Sequence, residues 1–338
     1  MRRELRRFRP MGIADILDET VELYRSNFAL LIGIAAVVYV PFFLVQGLAP
    51  QPEITPTGKI ANSAAFVALF PFIFLFVLVV EPIVTGALTF AISDRYLGRQ
   101  TSIPACFRRI LRPAILFRFI GAVALKYLIV IGAAIVGVIA VAAIIAVLAA
   151  SAGPGVGSKV ATILVGIGVG AIVLFLIFYL ILRLTLVEPC FIIETTGATG
   201  AIGRAWRLIR GNVGKAFALL LIAGLVASLI PLIVTAPTQL AISFRPQAGP
   251  PPSHAIIVID LILGAVVTTL LVPVTSIVTI LLYYDIRIRK EGFDLELLAN
   301  ELDAKTRQFS APDVTALPQE RPRTEQVNEP PPPGDDTQ

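Results

Sequence analysis

The sequence predicts an all-α, polytopic membrane protein. It has six transmembrane helices in three helix-pair repeats, each pair preceded by a short amphipathic helix on the cytoplasmic side. Three observations predict this. Hydrophobic residues make up 56% of the chain and charged residues 15%, whereas a soluble domain carries about a quarter charged residues. Six apolar runs reach the ~20 residues that a helix needs to cross a bilayer. Lysine and arginine collect in alternate connections between those runs, the pattern that sets topology.

The chain opens on a basic arm, 1–11, with Arg2, Arg3, Arg6, Arg7 and Arg9. No apolar core of signal-peptide type adjoins it, so no cleavable leader is expected. The stretch "GIADILDETVELYRSNF" then places Ile13, Ile16, Leu17, Thr20, Val21 and Tyr24 on one helical face and Asp15, Asp18, Glu19, Glu22 and Arg25 on the other. Ser26–Asn27 interrupts it, and the first span is expected at Phe28–Leu48, the second at Ala64–Ile92. "SIPACFRRILRP" repeats the plan, with Pro113 as its break, before spans at Phe119–Ala150 and Val160–Val187. "TGAIGRAWRLIRGN" repeats it again, with Gly211–Asn212 as its break, before spans at Phe217–Phe244 and Ala255–Tyr284. A second trace of repetition is that Pro82 stands as far from Asp94 as Pro273 does from Asp285. The membrane domain is read as 12–299. Beyond it, 300–338 is rich in Pro and acidic residues and is expected to be a disordered cytoplasmic tail.

The connections on one side carry only Lys59, Lys159 and Arg245. The other side holds the arm, the arginines around 95–112, those around 204–210 and the basic tail, so both termini are expected in the cytoplasm. One His and two Cys exclude a His-rich metal site and a four-cysteine zinc site, and no cofactor is expected. Cys106 and Cys190 both fall toward the cytoplasmic side, where a disulfide is not expected. There is no GxSxG elbow, His-rich helix or paired-Asp motif, so no catalytic activity is expected. "SAGPGVGSK" lacks the spacing of a phosphate loop, and nothing points to nucleic acid.

Two triplets stand out: Val80-Glu81-Pro82 and Val187-Glu188-Pro189, each inside an apolar run. Intramembrane carboxylates are costly and often mark a pathway, and proline frees a backbone carbonyl by removing a donor. With Arg183, and with Lys126 deeper in the third span, Glu81 and Glu188 form a candidate intramembrane polar cluster. The functional account is an ion, proton or headgroup site. The structural account, favoured here, is a buried Glu81/Glu188–Arg183 pairing with proline kinks; Lys126 is the other cation that could meet Glu81 or Glu188, or it could bind a lipid phosphate. On the cytoplasmic side, acidic Asp18 and Glu22 of the first amphipathic helix are expected to dock near Arg108, Arg109, Arg204 or Arg207. The alternative is that all the amphipathic helices float on lipid. Gly166, Gly168 and Gly170 suit close helix packing. Tyr127, Tyr283 and Tyr284 suit an interfacial aromatic belt, Arg118 a snorkelling position, and His254 and Asp260 the outer interface.

"DILDETVELYRSNF", "SDRYLGRQTSI", "AIGRAWRLIRGN" and "LLYYDIRIRKEGFDLELL" together resemble a family of bacterial membrane proteins. It is named after the membrane domain attached to some glycerophosphodiester phosphodiesterases. The resemblance implies a six-helix fold in the bacterial cytoplasmic membrane with cytoplasmic amphipathic helices, and implies no catalysis. In the fused enzymes the chemistry belongs to a separate barrel with catalytic histidines, for which this chain has no room beyond its spans and only His254. The expected function is a scaffold or accessory subunit that engages membrane lipids or an unidentified membrane or cytoplasmic protein partner. The rival is a transporter or lipid-handling protein that uses the Glu81, Glu188, Arg183 and Lys126 cluster.

Overall fold

The computed structural model describes residues 10–48, 53–54, 60–61, 63–151, 155–244 and 253–292. The described residues belong to one compact unit. The expected tail and most of the basic arm lie outside the described residues.

The described chain is helical apart from a two-residue antiparallel pairing, β1 (Glu53–Ile54) with β2 (Ile60–Ala61). The helices are α1 (Ile13–Ser26), α2 (Phe28–Leu48), α3 (Ser63–Leu75), α4 (Glu81–Tyr96), α5 (Ile103–Ile110), α6 (Pro113–Ser151), α7 (Val156–Leu184), α8 (Val187–Glu194), α9 (Ala198–Ile209), α10 (Val213–Ser243) and α11 (His254–Glu291). A π-helical turn, Phe76–Val80, joins α3 to α4.

Six helical stretches are long and apolar enough to cross a membrane: Phe28–Gly47, Phe70–Tyr96, Pro113–Ser151, Val156–Glu194, Val213–Ile242 and Ala255–Glu291. The chain is therefore a multi-pass membrane protein by composition and length. Four of the six run past the C-terminal ends expected from hydropathy. Span 2 continues through Asp94, span 4 through Glu194 and span 6 through Asp285, Arg287, Arg289 and Lys290. Helix propagation adds one backbone hydrogen bond per residue whatever the side chain, and these charges find partners within the bundle. At ~1.5 Å per residue the helix α6 is about 58 Å long, nearly twice a ~30 Å hydrocarbon core.

The core sits at the end of the bundle that carries α1, α5 and α9. There α4, α8 and α11 pack on one another. Leu88, Ile92, Tyr96, Leu186, Val187, Leu281, Tyr283 and Tyr284 are fully or almost fully buried. The far halves of α6 and α7 pack mainly on each other. They leave Ile135, Val138, Ile139, Ile163, Leu164 and Ile167 exposed, as residues facing lipid are. Gly137 and Gly166 make that approach close. A Cβ at Gly137 would lie 2.4 Å from a Val173 methyl, and one at Gly166 would lie 3.0 Å from Ile145. Gly168 and Gly170 face open space, so the close-packing role expected of all three glycines holds for Gly166 alone.

Each of α1, α5 and α9 lies directly ahead of an odd-numbered span, and each turns part of its surface into protein. Ile16, Thr20 and Leu23 of α1, Cys106 and Ile110 of α5, and Ala201, Ala205, Leu208 and Ile209 of α9 are buried.

Candidate functional site

Both Glu-Pro dipeptides follow a break in their helix, and this brings their surroundings together. Before Glu81-Pro82 the backbone widens, and the N–H of Glu81 reaches back five residues to the carbonyl of Phe76. Such π turns are rare and concentrate at functional sites. Before Glu188-Pro189, α7 ends at Leu184 and α8 restarts at Val187. Span 6 carries Pro273 at a comparable height without a break.

A partly open cavity of about 220 Å³ lies between α4, α6, α8 and α11. Its polar lining is Lys126, Glu188 and the hydroxyls of Thr85, Thr89, Thr185, Thr275, Ser276 and Thr279. Lys126 from α6 donates to Glu188 from α8, and both side chains are about four-fifths buried. Glu81 does not line the cavity. It is half-buried and interacts electrostatically with the same Lys126 and with Glu188, and its carboxyl group makes no hydrogen bond among the described residues. The structure therefore brings Glu81, Glu188 and Lys126 together.

Arg183 stands apart from them. Its guanidinium donates to the Tyr179 hydroxyl (2.9 Å from Nε) and to the carbonyl of Trp206 (3.1 Å), and lies 4.8 Å over the Trp206 ring. This corrects the expected Glu81/Glu188–Arg183 pairing. Arg183 precedes the break in span 4, so its side chain turns toward α9. Lysine from the neighbouring span takes the carboxylate instead.

A second polar layer lies at the capped end. Span 2 ends in Asp94, which accepts from Arg109 Nη1 of α5 at 2.6 Å, with the guanidinium 4.2 Å over Phe90. Span 4 ends in Glu194, which accepts from Arg204 Nε of α9 at 2.7 Å and from the Tyr283 hydroxyl at 2.8 Å. Near the end of span 6, Asp285 has no solvent exposure. It accepts from the Met11 N–H at 2.7 Å, Lys215 Nζ at 2.5 Å and Arg289 Nε at 3.1 Å. Each even-numbered span thus ends in a carboxylate that holds the helix ahead of an odd-numbered span, or the residue that opens it. Burial works against the charge of Arg204. Its hydrogen bonds to Glu291 and Glu194 outweigh that and hold the group above its ordinary value.

The expected cytoplasmic contacts divide. Arg109 and Arg204 are engaged, but by Asp94, Glu194 and Glu291. Arg108 and Arg207 are exposed, as are Asp18 and Glu22. The helix α1 does dock on protein, through its apolar face, Met11 and a Tyr24 hydroxyl bond to the Leu270 carbonyl at 3.1 Å. The acidic face is left outward, so the expected docking of Asp18 and Glu22 on those arginines is overturned. Packing apolar surface gains more than a screened surface ion pair. Tyr283 and Tyr284 are fully buried rather than interfacial, with the Tyr284 hydroxyl 2.6 Å from Ser93 Oγ. Asp260 is tied to Gln239 Nε2 at 2.7 Å and to Thr238. Cys106 and Cys190 are free and buried, and burial pushes the Cys106 thiol up.

Sequence reading passed over the hydroxyls and Glu194, and took Asp94 and Asp285 only as a trace of repetition. The signals were present: Thr85–Thr89 and Thr275–Thr279 are i, i+4 pairs in apolar runs, and Asp94 and Asp285 follow a proline at equal distance.

The match of a family model decides where this architecture belongs. It runs over residues 11–286. The chain belongs to the DUF7847 family. The family is described as a domain of unknown function. Its match opens on Met11 and closes one residue after Asp285, the two residues whose hydrogen bond joins the ends of the membrane domain. No curated protein and no solved structure matches the chain.

Proposed function

We propose that this is a non-catalytic membrane protein that binds a small polar ligand in the cavity beside Lys126 and Glu188, as a transporter or lipid-handling protein does. The observation that carries the reading is the cavity itself. It carries a lysine, a glutamate and six hydroxyls, lies within the spans, and is bordered by the break in span 4 at Thr185–Pro189. A bundle that serves only as a scaffold gains nothing from such a space, whereas transporter sites lie at broken helices within the membrane. The test is mass spectrometry of what copurifies in mild detergent with the wild type and with Glu81→Gln/Glu188→Gln. A specific small molecule or lipid, lost from a variant that stays folded, is expected. A stoichiometric protein retained by both, with no small ligand, supports the scaffold instead.

The scaffold or accessory-subunit reading keeps one observation in its favour. Asp18, Val21, Glu22 and Arg25 of α1 line an open surface groove that no described segment fills. On that reading an unidentified protein partner binds the acidic face at the cytoplasmic side.

The distribution of arginine supports a bacterial cytoplasmic membrane protein with both termini in the cytoplasm. The three carboxylate clasps support a threefold repeat, each unit made of a short amphipathic helix and a pair of spans. The family shown is one of unknown function; the resemblance to the membrane domain of glycerophosphodiester phosphodiesterases implies the same plan and a non-catalytic role.

A further inference from the structure

The direction of the hydrogen bonds in the cavity limits what can bind there. A hydroxyl has one hydrogen to give and lone pairs to receive with. All six lining hydroxyls donate to their own helix: Thr85 to the Pro82 carbonyl at 3.1 Å, Thr89 to Thr85 at 2.7 Å, and Thr185 to Ile181 at 3.0 Å. On α11, Thr275 and Ser276 donate to Val272 at 2.9 and 3.0 Å, and Thr279 to Thr275 at 2.9 Å. What they present to the cavity is therefore lone pairs. The side-chain donor in the lining is Lys126, and one of its three N–H groups is held by Glu188. The ionised pair is neutral, and Glu81 adds a further carboxylate acting on the same lysine. A space lined by hydroxyl lone pairs, with two carboxyl groups around one lysine, suits a ligand that donates hydrogen bonds.

Resting on the cavity reading above, we infer that the ligand is a small monovalent cation of the hydrogen-bond-donating kind, a protonated primary amine. About 220 Å³ is the space of roughly seven waters at ~30 Å³ each. That is far more than a bare alkali ion fills, and it suits a short aminoalkyl group. The ammonium donates to the hydroxyl oxygens and to Glu188, and Glu81 supplies Lys126 with a second counter-charge. Two sources carry this chemistry: a free amine, and the headgroup of an aminated lipid.

The test is the thermal stability of the full chain in neutral detergent micelles, read at constant ionic strength. The probes are ethanolamine hydrochloride, sodium chloride, sodium phosphate and micelles doped with phosphatidylethanolamine. A saturable rise in Tm with ethanolamine assigns a free amine. A rise with the doped micelles alone assigns the lipid headgroup. Glu81→Gln is expected to weaken either effect about tenfold, equivalent to ~1.4 kcal/mol. Thr279→Val, which removes an acceptor and leaves every charge in place, weakens it as well and guards against a charge variant that fails to fold. Stabilisation by phosphate that is lost in Lys126→Met overturns the cationic assignment and leaves the cavity reading standing. No shift with any probe, together with no copurifying small molecule, overturns both.

Discussion

Replacing Asp285 by Asn removes a carboxylate with no solvent exposure that gathers the start of α1, Lys215 and Arg289. The amide keeps one oxygen for the Met11 N–H but turns a donor toward two cations. Breaking a buried ion pair by removing one partner costs about 3–5 kcal/mol. The lower end applies here. Arg289 is 40% exposed and can turn to water, and both cations keep a hydrogen bond to the Met11 carbonyl at 2.5 and 2.7 Å. About 3 kcal/mol corresponds to a fall in Tm on the order of 6–12 °C, by the scale for folded domains of 150–250 residues. The chain contains its own reporter. Cys106 and Cys190 are both fully buried, so a thiol-reactive fluorophore signals unfolding on heating. A fall of less than ~2 °C would refute the argument that Asp285 holds α1 in place.

Further expectations can be read with the same assay. Lys126→Met leaves Glu188 and Glu81 without their cation and costs roughly 3 kcal/mol, whereas Lys126→Met/Glu188→Gln recovers most of it; equal losses in the single and double variants would show that the pair is not coupled. Asp18→Lys/Glu22→Lys changes exposed side chains and leaves stability within about 0.5 kcal/mol; a larger fall in Tm would mean that the acidic face is docked after all. Gly86→Val forces a side chain against Ile110, 2.7 Å from the Cβ position, and Phe119, 3.1 Å away, and lowers stability by roughly 1–3 kcal/mol. In the folded protein Cys106 resists alkylation even at pH 9, because burial holds the thiol above its ordinary range; peptide mass spectrometry showing rapid native labelling would contradict its buried position.

The spans were legible because apolar runs of that length have few other uses, and the short helices because their polar and apolar residues segregate at helical spacing. Their ends were not. Hydropathy stops at a charge, whereas Asp94, Glu194 and Asp285 sit inside the helix and find cations in the bundle. The polar cluster was half legible. Glu81, Glu188 and Lys126 are conspicuous in apolar runs, but which cation reaches Glu188 depends on how α6 and α8 face each other. Sequence cannot supply that, and Arg183, nearer along the chain, was the wrong choice. The i, i+4 spacing of Thr85–Thr89 and Thr275–Thr279 marks hydroxyls on one helix face but not what they face, since a hydroxyl in a membrane helix usually bonds its own backbone. Only the closure of several helices turns those bonds into an acceptor-lined space.

The most direct test of the central claim is whether that space is reached by water-soluble molecules. Thr279→Cys places a thiol on the cavity wall, and Leu88→Cys places one in the fully buried core of α4. Both would be treated in membranes with a small cationic methanethiosulfonate reagent and read by peptide mass spectrometry. Labelling of the Thr279 variant, blocked by ethanolamine and absent from the Leu88 variant, is the predicted result. A Thr279 variant as inert as the Leu88 variant would mean that the cavity is sealed and dry, and the binding account would fall.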